Sequence, residues 1–267
     1  MPVIKVDHLS FSYTPDTPIL KDISLYLDTR PTAIVGQNGA GKTTFVKLLK
    51  GLLKPSSGEI IIDGKNTKDL TVAQLAKHIG LVFQNPNDQI FKNKVIDEVL
   101  FGPLNIGMSM AEAKFKAMEA LELVGLGTQS AVNPYDLGLS ERKLIAIASI
   151  IAMDPDIIIF DEPTIAQDYI SKEKIKALIR QLQQQGKMVL TIIHDMDFVA
   201  ECFDRVIVLA QGGVLMDGTA KEVFAEEHLL SRACLEPPHI TQLCKKLGYE
   251  EAYLTVEDFI KNRKRLS

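Results

Sequence analysis

Residues 36–44, GQNGAGKTT, fit the pattern GxxxxGK followed by Ser or Thr, which is typical of phosphate-binding loops. Glycines let the backbone curl so that successive N–H groups point at phosphate oxygens, and a following helix adds its positive end. Lys42 is expected to reach the β- and γ-phosphates, and the Thr43 hydroxyl to ligate Mg²⁺. The residues predicted to bind nucleotide here are Gly36, Gln37, Asn38, Gly39, Ala40, Gly41, Lys42, Thr43 and Thr44.

Two carboxylates follow a later apolar run, IIIFDE (157–162), which ends in Asp161 and Glu162. A buried strand that ends in a carboxylate places it at the ligand edge of a parallel sheet. We predict that Asp161 holds Mg²⁺, directly or through water. Glu162 is predicted to polarise the water that attacks the γ-phosphate, a general-base role worth about 10²–10⁴-fold in rate.

His194 closes another apolar run, TIIHD (191–195), which is expected to end near the same edge. A neutral imidazole there can hydrogen-bond the γ-phosphate or the attacking water. The remaining histidines have no such setting and are predicted to be surface or packing residues: His8, His78, His228 and His239.

Alternating strands and helices must position these groups. Short strands are predicted over 3–13, 21–27 and 58–65, and purely apolar ones over 32–36, 78–83, 157–162, 188–194 and 205–210. Apolar runs without alternation are typical of parallel strands covered on both faces. Helical patterns separate them, such as 43–53 and 171–186, where Gly186 suits a helix end. The order predicts an α/β fold.

Two segments depart from this order. Residues about 88–153 contain helical patterns without a clear strand, which predicts a helical insertion. After about residue 220 the chain becomes helical and polar, with Pro237 and Pro238 as a break, which predicts a C-terminal appendage.

Composition excludes several classes of protein. The chain has 267 residues, of which 46% are hydrophobic and 24% charged, which is typical of globular proteins. A net charge of −4 argues against a general nucleic-acid binder. The three cysteines form no CxxC pair, and neither a signal peptide nor a membrane span is predicted. The longest apolar run, 144–153, fits a buried helix, so any membrane role would come through a partner.

In their order, GQNGAGKT, FQNP, IIIFDEPT and TIIHD resemble the motifs of an ABC-type ATPase cassette, over about residues 3–225. The resemblance implies a P-loop NTPase with a RecA-like parallel core, an antiparallel β subdomain and a helical subdomain, using ATP and Mg²⁺. It implies that Tyr13 stacks on adenine, although a strand aromatic in the core is the alternative. It also implies that Gln84, a catalytic residue, senses Mg²⁺ and links the site to a membrane partner. Asp168 is implied to be the D-loop aspartate, beside an unusual Gln167.

A narrower resemblance covers residues 83–108, which are similar to the ATPases of energy-coupling-factor (ECF) vitamin and metal-ion importers. It implies that a helix beginning around Asp88 and Gln89 shapes a groove for a transmembrane T subunit, with an ordinary capped helix as the alternative. A substrate-binding S subunit and a peripheral location on the cytoplasmic membrane face are also implied. Residues 237–248 resemble the extension that helps two such ATPases pair. The implied domains are 1–225, with a helical subdomain about 88–153, and 226–267.

Residues 137–141, LGLSE, stand where ABC cassettes carry LSGGQ, the signature that closes over ATP held by a second cassette. Gly138 replaces the serine, Leu139 a glycine and Glu141 the glutamine. A register shifted by two residues restores the serine as Ser140, which is alternatively only the N-cap of a helix. Because the chain's own ATP-holding motifs are complete, the pattern predicts an asymmetric heterodimer with a second ABC ATPase.

Other functions remain open at this point. One is a non-transport ABC-type ATPase acting on ribosomes or DNA, although such proteins usually carry two cassettes or a long coiled-coil insertion. Another is a nucleotide-binding regulatory subunit with weak hydrolysis. The basic run 261–265, KNRKR, either contacts anionic lipid or is a solvated terminus.

Overall fold

The strands of this computed structural model, which describes residues 2–263, form two sheets. Their bounds are β1 Ile4–Ser12, β2 Pro18–Leu27, β3 Thr32–Val35, β4 Ser57–Ile62, β5 Lys65–Asn66, β6 Ile79–Val82, β7 Ile157–Asp161, β8 Met188–Ile192, β9 Arg205–Ala210 and β10 Gly213–Thr219. The larger sheet has the order β10-β9-β3-β8-β7-β6, parallel except for β10. The smaller one, β2-β1-β4-β5, is antiparallel. The predicted α/β fold class is confirmed.

Helices cover the larger sheet and fill the segment between β6 and β7. Their bounds are α1 Lys42–Leu49, α2 Val72–His78, α3 Val95–Asn105, α4 Met110–Leu123, α5 Leu139–Ile151, α6 Tyr169–Gln184, α7 Met196–Cys202, α8 Ala220–Ala225, α9 Glu227–Arg232, α10 His239–Lys246 and α11 Val256–Asn262. Helix α6 ends as expected, because Gly186 adopts a φ of 78° and donates its N–H to Gln183. Within residues 2–263, no helix is long and apolar enough to cross a membrane.

Both faces of the parallel sheet are buried, which explains its apolar strands. In β3, Ala33 and Val35 pack in the cluster that contains α5, α6 and α7. Ile34, pointing the other way, packs with α1 and the antiparallel sheet. Since residues alternate between faces along a strand, a strand covered on both sides has no polar face to show.

The structure corrects several expectations. The helix predicted over 43–53 ends at Leu49, and β10 was not predicted. No helix begins around Asp88 and Gln89: Pro86–Asp88 is one 3₁₀ turn, and α3 starts only at Val95. Gln89 ends this turn, and its side chain accepts the N–H of Phe83. The basic run 261–265 lies partly outside the described residues.

Candidate active site

The phosphate loop leaves the carboxyl end of β3 and leads into α1. Gly36, Gly39 and Gly41 have φ angles of 151°, 82° and 98°, which glycine adopts without a Cβ clash. A Cβ atom on Gly36 would lie 2.2 Å from the carbonyl oxygen of Leu209 on β9. Glycine at this position therefore permits both the turn and the close approach of the neighbouring strand.

A cavity of about 270 Å³ lies against this loop. It is lined by Ile19, Asn38, Gly39, Gly41, Lys42, Thr43, Thr44, Gln84 and Glu162. The fold thus brings together the phosphate loop, the second residue after β6 (Gln84) and the first residue after β7 (Glu162). Its volume is just below the ~300–1,000 Å³ that is typical of small-molecule pockets. The cavity matches the phosphate end of a nucleotide and not the whole molecule.

Lys42 supplies positive charge at this cavity. Its side chain is only 6% exposed, and its ammonium donates to the carbonyl oxygens of Gly36 at 2.6 Å and Gln37 at 3.0 Å. Burial lowers the pKa of Lys42, against the opposing influence of Glu162 and Asp161. The ammonium is therefore fixed by the loop itself at the place where phosphate oxygens would lie.

Asp161 and Thr43 meet from opposite sides of the sheet edge. The Thr43 hydroxyl donates to Oδ2 of Asp161 at 3.2 Å. The other oxygen, Oδ1, is buried and has no hydrogen-bond partner among residues 2–263. Burial raises the pKa of the Asp161 carboxyl. An unpaired buried carboxylate oxygen beside a hydroxyl is a donor set that fits Mg²⁺, which prefers oxygen ligands.

Glu162 and His194 form a pair at the ends of β7 and β8. Oε1 of Glu162 and Nε2 of His194 are 2.9 Å apart. The backbone of Glu162 has a φ of 52°, and its N–H donates to Ile192, which holds the carboxylate at the sheet edge. Burial raises the pKa of Glu162 and lowers that of His194, where Lys42 adds to the effect. The pair is therefore suited to a neutral imidazole that donates to a carboxylate.

Tyr13 lies in the segment that follows β1, and its side chain is 58% exposed. Its ring packs edge-on against Phe11, with 4.9 Å between ring centroids. The alternative of a core aromatic is wrong, because more than half of the side chain is exposed.

The LGLSE segment forms the beginning of α5 and does not line the cavity. Gly138 is the N-cap, so Ser140 is the second helical residue and the alternative of a Ser140 N-cap is wrong. Glu141 decides the helix start, since its carboxylate accepts the N–H of Gly138 at 2.8 Å. Leu139 is 40% exposed beside it. An anionic group thus already occupies the donor end of this helix.

Asp168 lies at the N-terminus of α6, also outside the residues that line the cavity. Its carboxylate accepts the N–H of Ser171 at 2.7 Å, and this hydrogen bond lowers its pKa. Gln167 beside it is buried. Within one chain, Asp168 is therefore a helix cap, and any other role needs a second molecule.

Gln89 lines a mainly apolar groove of about 290 Å³, whereas Asp88 does not. The groove is bounded by α2, α3 and α5 and is lined by Ala73, Ala76, Gln89, Phe91, Glu98, Phe101, Gly102, Asn105, Ile106, Ser149, Ile150 and Met153. Asp88 instead accepts from Asn85 at 3.2 Å within the 3₁₀ turn.

Lys143 was missed by sequence reasoning, which treated it as the border of an apolar run. It is 1% exposed, and its ammonium donates to the carbonyl oxygens of Phe83, at 3.0 Å, and Gln84. Burial lowers its pKa to about 8. Its spacing of four residues from Ile147 places it on the buried helix face, which was the available signal.

Comparison with known proteins agrees with this geometry. A family model described as "ABC transporter" matches residues 20–165. A putative ABC transporter ATP-binding protein of Pyrococcus furiosus is 42% identical over 92% of this chain and 94% of its own length. An energy-coupling factor transporter ATP-binding protein, EcfA, of Methanothermobacter thermautotrophicus is 37% identical over 96% and 85%. Some relatives are longer: the chain covers 46% of one from Caldanaerobacter subterraneus that is 37% identical.

Solved structures give the same result. CbiO1 from Clostridium perfringens, described as part of the ABC transporter complex CbiONQ, superposes with a TM-score of 0.78. It is 33% identical and covers 91% of this chain and 98% of its own. The cassette MJ0796, a dimer bound to ADP and phosphate, has a TM-score of 0.73 at 29% identity, covering 81% and 98%. The chain belongs to the ABC transporter family, as an ATP-binding cassette that hydrolyses ATP.

Proposed function

We propose that this chain is the ATPase of an ECF-type importer, which powers uptake of a vitamin or metal ion through membrane T and S subunits. The importer part rests on the similarity to energy-coupling factor ATPases. One observation supports the catalytic part: the phosphate loop and Glu162 line one cavity, and Asp161 and His194 contact two residues of that lining, Thr43 and Glu162. The chain would act at the cytoplasmic membrane face, held there by its partners.

Thr43 and Asp161 would hold Mg²⁺ with ATP, and Gln84 would face it from across the cavity. Bound there, Mg²⁺ would neutralise charge on the β- and γ-phosphates. Lys42 would exchange its contacts with loop carbonyls for contacts with phosphate oxygens. Tyr13 would stack on the adenine outside the cavity, because its ring is exposed.

Glu162 would polarise the attacking water. Burial raises the pKa of Glu162, which makes it a stronger base than an ordinary carboxylate, and the nearby Lys42 opposes this by favouring the charged form. Before ATP binds, His194 orients the carboxylate through its 2.9 Å contact, and with ATP bound it would exchange this contact for one between its N–H and the γ-phosphate. A neutral imidazole can do this without adding charge to the site.

The groove lined by Gln89 would receive an apolar helix of the T subunit. Phe91 and Phe101 are exposed by 54% and 41% at its rim, and they pack edge-on with centroids 4.8 Å apart. Exposed aromatic residues around a concave apolar surface are typical of a helix-binding groove. Gln89 would also connect that partner with the rest of the site.

The other cassette of the dimer would be a different protein. In this chain, Gly138 offers no hydroxyl and the Glu141 carboxylate occupies the helix end that would meet the partner's γ-phosphate. Two such surfaces in a homodimer would weaken both ATP sites. A partner with an intact LSGGQ would leave one strong site, on this chain's own cavity.

The C-terminal segment, residues 226–267, is proposed to assist this pairing. Leu243 and Leu247 lie one helical turn apart at the end of α10 and are 52% and 53% exposed. Replacing both by glutamate would then weaken pairing of the cassettes and leave ATP binding to the isolated chain unchanged. Unchanged pairing would contradict this assignment.

ATP turnover of the purified chain, alone and mixed with a second cassette of the same importer, tests the proposal. Activity in the mixture that Glu162→Gln in this chain abolishes is expected. Equal turnover by the chain alone would refute the heterodimer and show that LGLSE closes the site. Absence of turnover in both, with ATP bound, would instead favour a regulatory subunit.

A further inference from the structure

Lys143 places a positive charge in the interior, where no carboxylate of residues 2–263 forms an ion pair with it and Asp161 and Glu162 act on it only at longer range. Its ammonium contacts two consecutive backbone carbonyls, those of Phe83 and Gln84. Burying a charged group is unfavourable unless hydrogen bonds compensate, so these contacts hold the segment after β6 firmly against α5. Apolar packing at the same position would not fix the direction of these two peptide groups.

Gln89 fixes the same segment from its other side. Its side-chain oxygen accepts the N–H of Phe83 at 3.0 Å, and its amide donates to Ala146 of α5 at 2.9 Å. The peptide groups on both sides of Phe83 are thus oriented by α5 and by a residue bound to it. Gln84, the next residue, is the one that lines the phosphate cavity.

We infer that Lys143 is a positioning residue for ATP hydrolysis, which holds Gln84 at the phosphate cavity and ties its position to that of α5. The inference rests on the proposed role of Gln84. Helix α5 begins at Leu139, just after the Gly138 that would face the partner's ATP. Five residues of helix, about 7.5 Å, separate Gly138 from Lys143. One rigid element therefore connects the partner's ATP with Gln84 of this chain.

Lys50 provides a matched control. It is also a largely buried lysine whose pKa burial lowers to about 8, and it also donates to a backbone carbonyl, that of Ile79. Ile79 begins β6, whereas Phe83 follows its last residue. Lys50→Met thus removes the same kind of contact at the far end of the same strand, away from Gln84.

The test compares Lys143→Met and Lys50→Met in the assembly that hydrolyses ATP. Lys143→Met is expected to lower kcat about tenfold or more while the Kd for a fluorescent ATP analogue changes less than about threefold. Lys50→Met is expected to keep kcat within about twofold, with a similar loss in Tm. A kcat of Lys143→Met within twofold of the wild type, or an equal loss in both variants, would overturn the inference.

A double-mutant cycle with Gln84→Ala separates positioning from general damage. If Lys143 acts through Gln84, the double variant is expected to be no more than about threefold slower than the slower single variant. Losses that multiply would refute the inference while leaving the role of Gln84 intact. A normal kcat in Gln84→Ala alone would refute that proposed role. Lys143→Gln, which keeps an N–H donor group without the charge, replaces Lys143→Met if the latter does not fold, and an intermediate kcat is then expected.

Discussion

Substitution Glu141→Gln is expected to change stability and pairing in opposite directions. The carboxylate accepts the N–H of Gly138 at 2.8 Å, at the N-terminus of α5. Such a charge at a helix N-terminus is worth about 0.3–1 kcal/mol, and glutamine keeps the acceptor but not the charge. For a chain of 267 residues, the loss corresponds to a decrease in Tm of about 1–4 °C.

The same charge is expected to weaken ATP-dependent pairing of the two cassettes, although it stabilises the folded chain. In the proposed dimer, the Glu141 carboxylate faces the γ-phosphate held by the partner. Unit charges about 7 Å apart repel by about 0.6 kcal/mol at the dielectric constant of water and about 2.4 kcal/mol at an effective value of about 20. Removing this repulsion is expected to tighten ATP-dependent pairing by about 3-fold to 60-fold.

The dissociation constant of the pair is measured by analytical ultracentrifugation in saturating Mg-ATP, with Glu162→Gln in every sample to prevent turnover. Glu222→Gln is the control, because this carboxylate accepts the N–H of the N-cap residue Thr219 at the same distance, 2.8 Å. It is expected to lower Tm equally and leave pairing unchanged. The electrostatic role of Glu141 is refuted if Glu141→Gln does not tighten pairing, or if the gain persists at about 1 M salt.

Further predictions concern the sheet edge and the C-terminal segment. Gly36→Ala places a Cβ 2.2 Å from the backbone oxygen of Leu209, so urea unfolding is expected to show a loss of about 1–3 kcal/mol. Asp161→Asn removes a carboxylate whose pKa is raised by burial, so Tm is expected to rise. Mg²⁺-dependent turnover is expected to fall more than about 100-fold. A lower Tm would contradict this reasoning. Asp197 raises the pKa of His239, so their pair stabilises the fold below the ordinary histidine pKa and is lost as pH rises through the raised one. The decrease in Tm caused by His239→Asn is therefore expected to be larger at about pH 5.5 than at about pH 8.5.

Sequence reasoning succeeded where chemistry and topology coincide. Parallel strands bring their carboxyl ends to one edge, so residues that follow apolar runs had to meet there. Asp161, Glu162 and His194 were predicted on this ground, and their contacts with Thr43 and with each other follow from the order of β3, β8 and β7. Their positions agree with this expectation, and their catalytic roles stay predictions.

Sequence reasoning failed where a side chain contacts residues that lie far away along the chain. Asn85, Pro86 and Asp88 have the residue types of a helix start and do form one 3₁₀ turn. The turn ends at Gln89, whose side chain is bound to Phe83 and, some sixty residues along the chain, to Ala146 and Ser149 of α5. Local patterns contain no information about such a contact.

The alternative of Ser140 as the N-cap of α5 was wrong for a different reason, since two residues offered competing ways to cap this helix. Ser140 is the better N-cap by residue type, but the side chain of Glu141 can satisfy the N–H of the residue three positions before it. Gly138 is the N-cap, and the Glu141 carboxylate accepts its N–H. Capping by the Ser140 hydroxyl would instead begin the helix two residues later and shorten it.

These features give the first and second turns of α5 different contacts. Its first turn is altered toward the partner's ATP, whereas Lys143, on the next turn, is bound to the segment that carries Gln84. In the proposed dimer, an altered first turn would weaken only the site on the partner, because no residue of that turn lines this chain's own cavity. Lys143 would still couple the position of Gln84 to the docking of α5 on the partner. A chain built in this way can therefore lose one ATP site of a dimer and keep the coupling through which the other site is controlled.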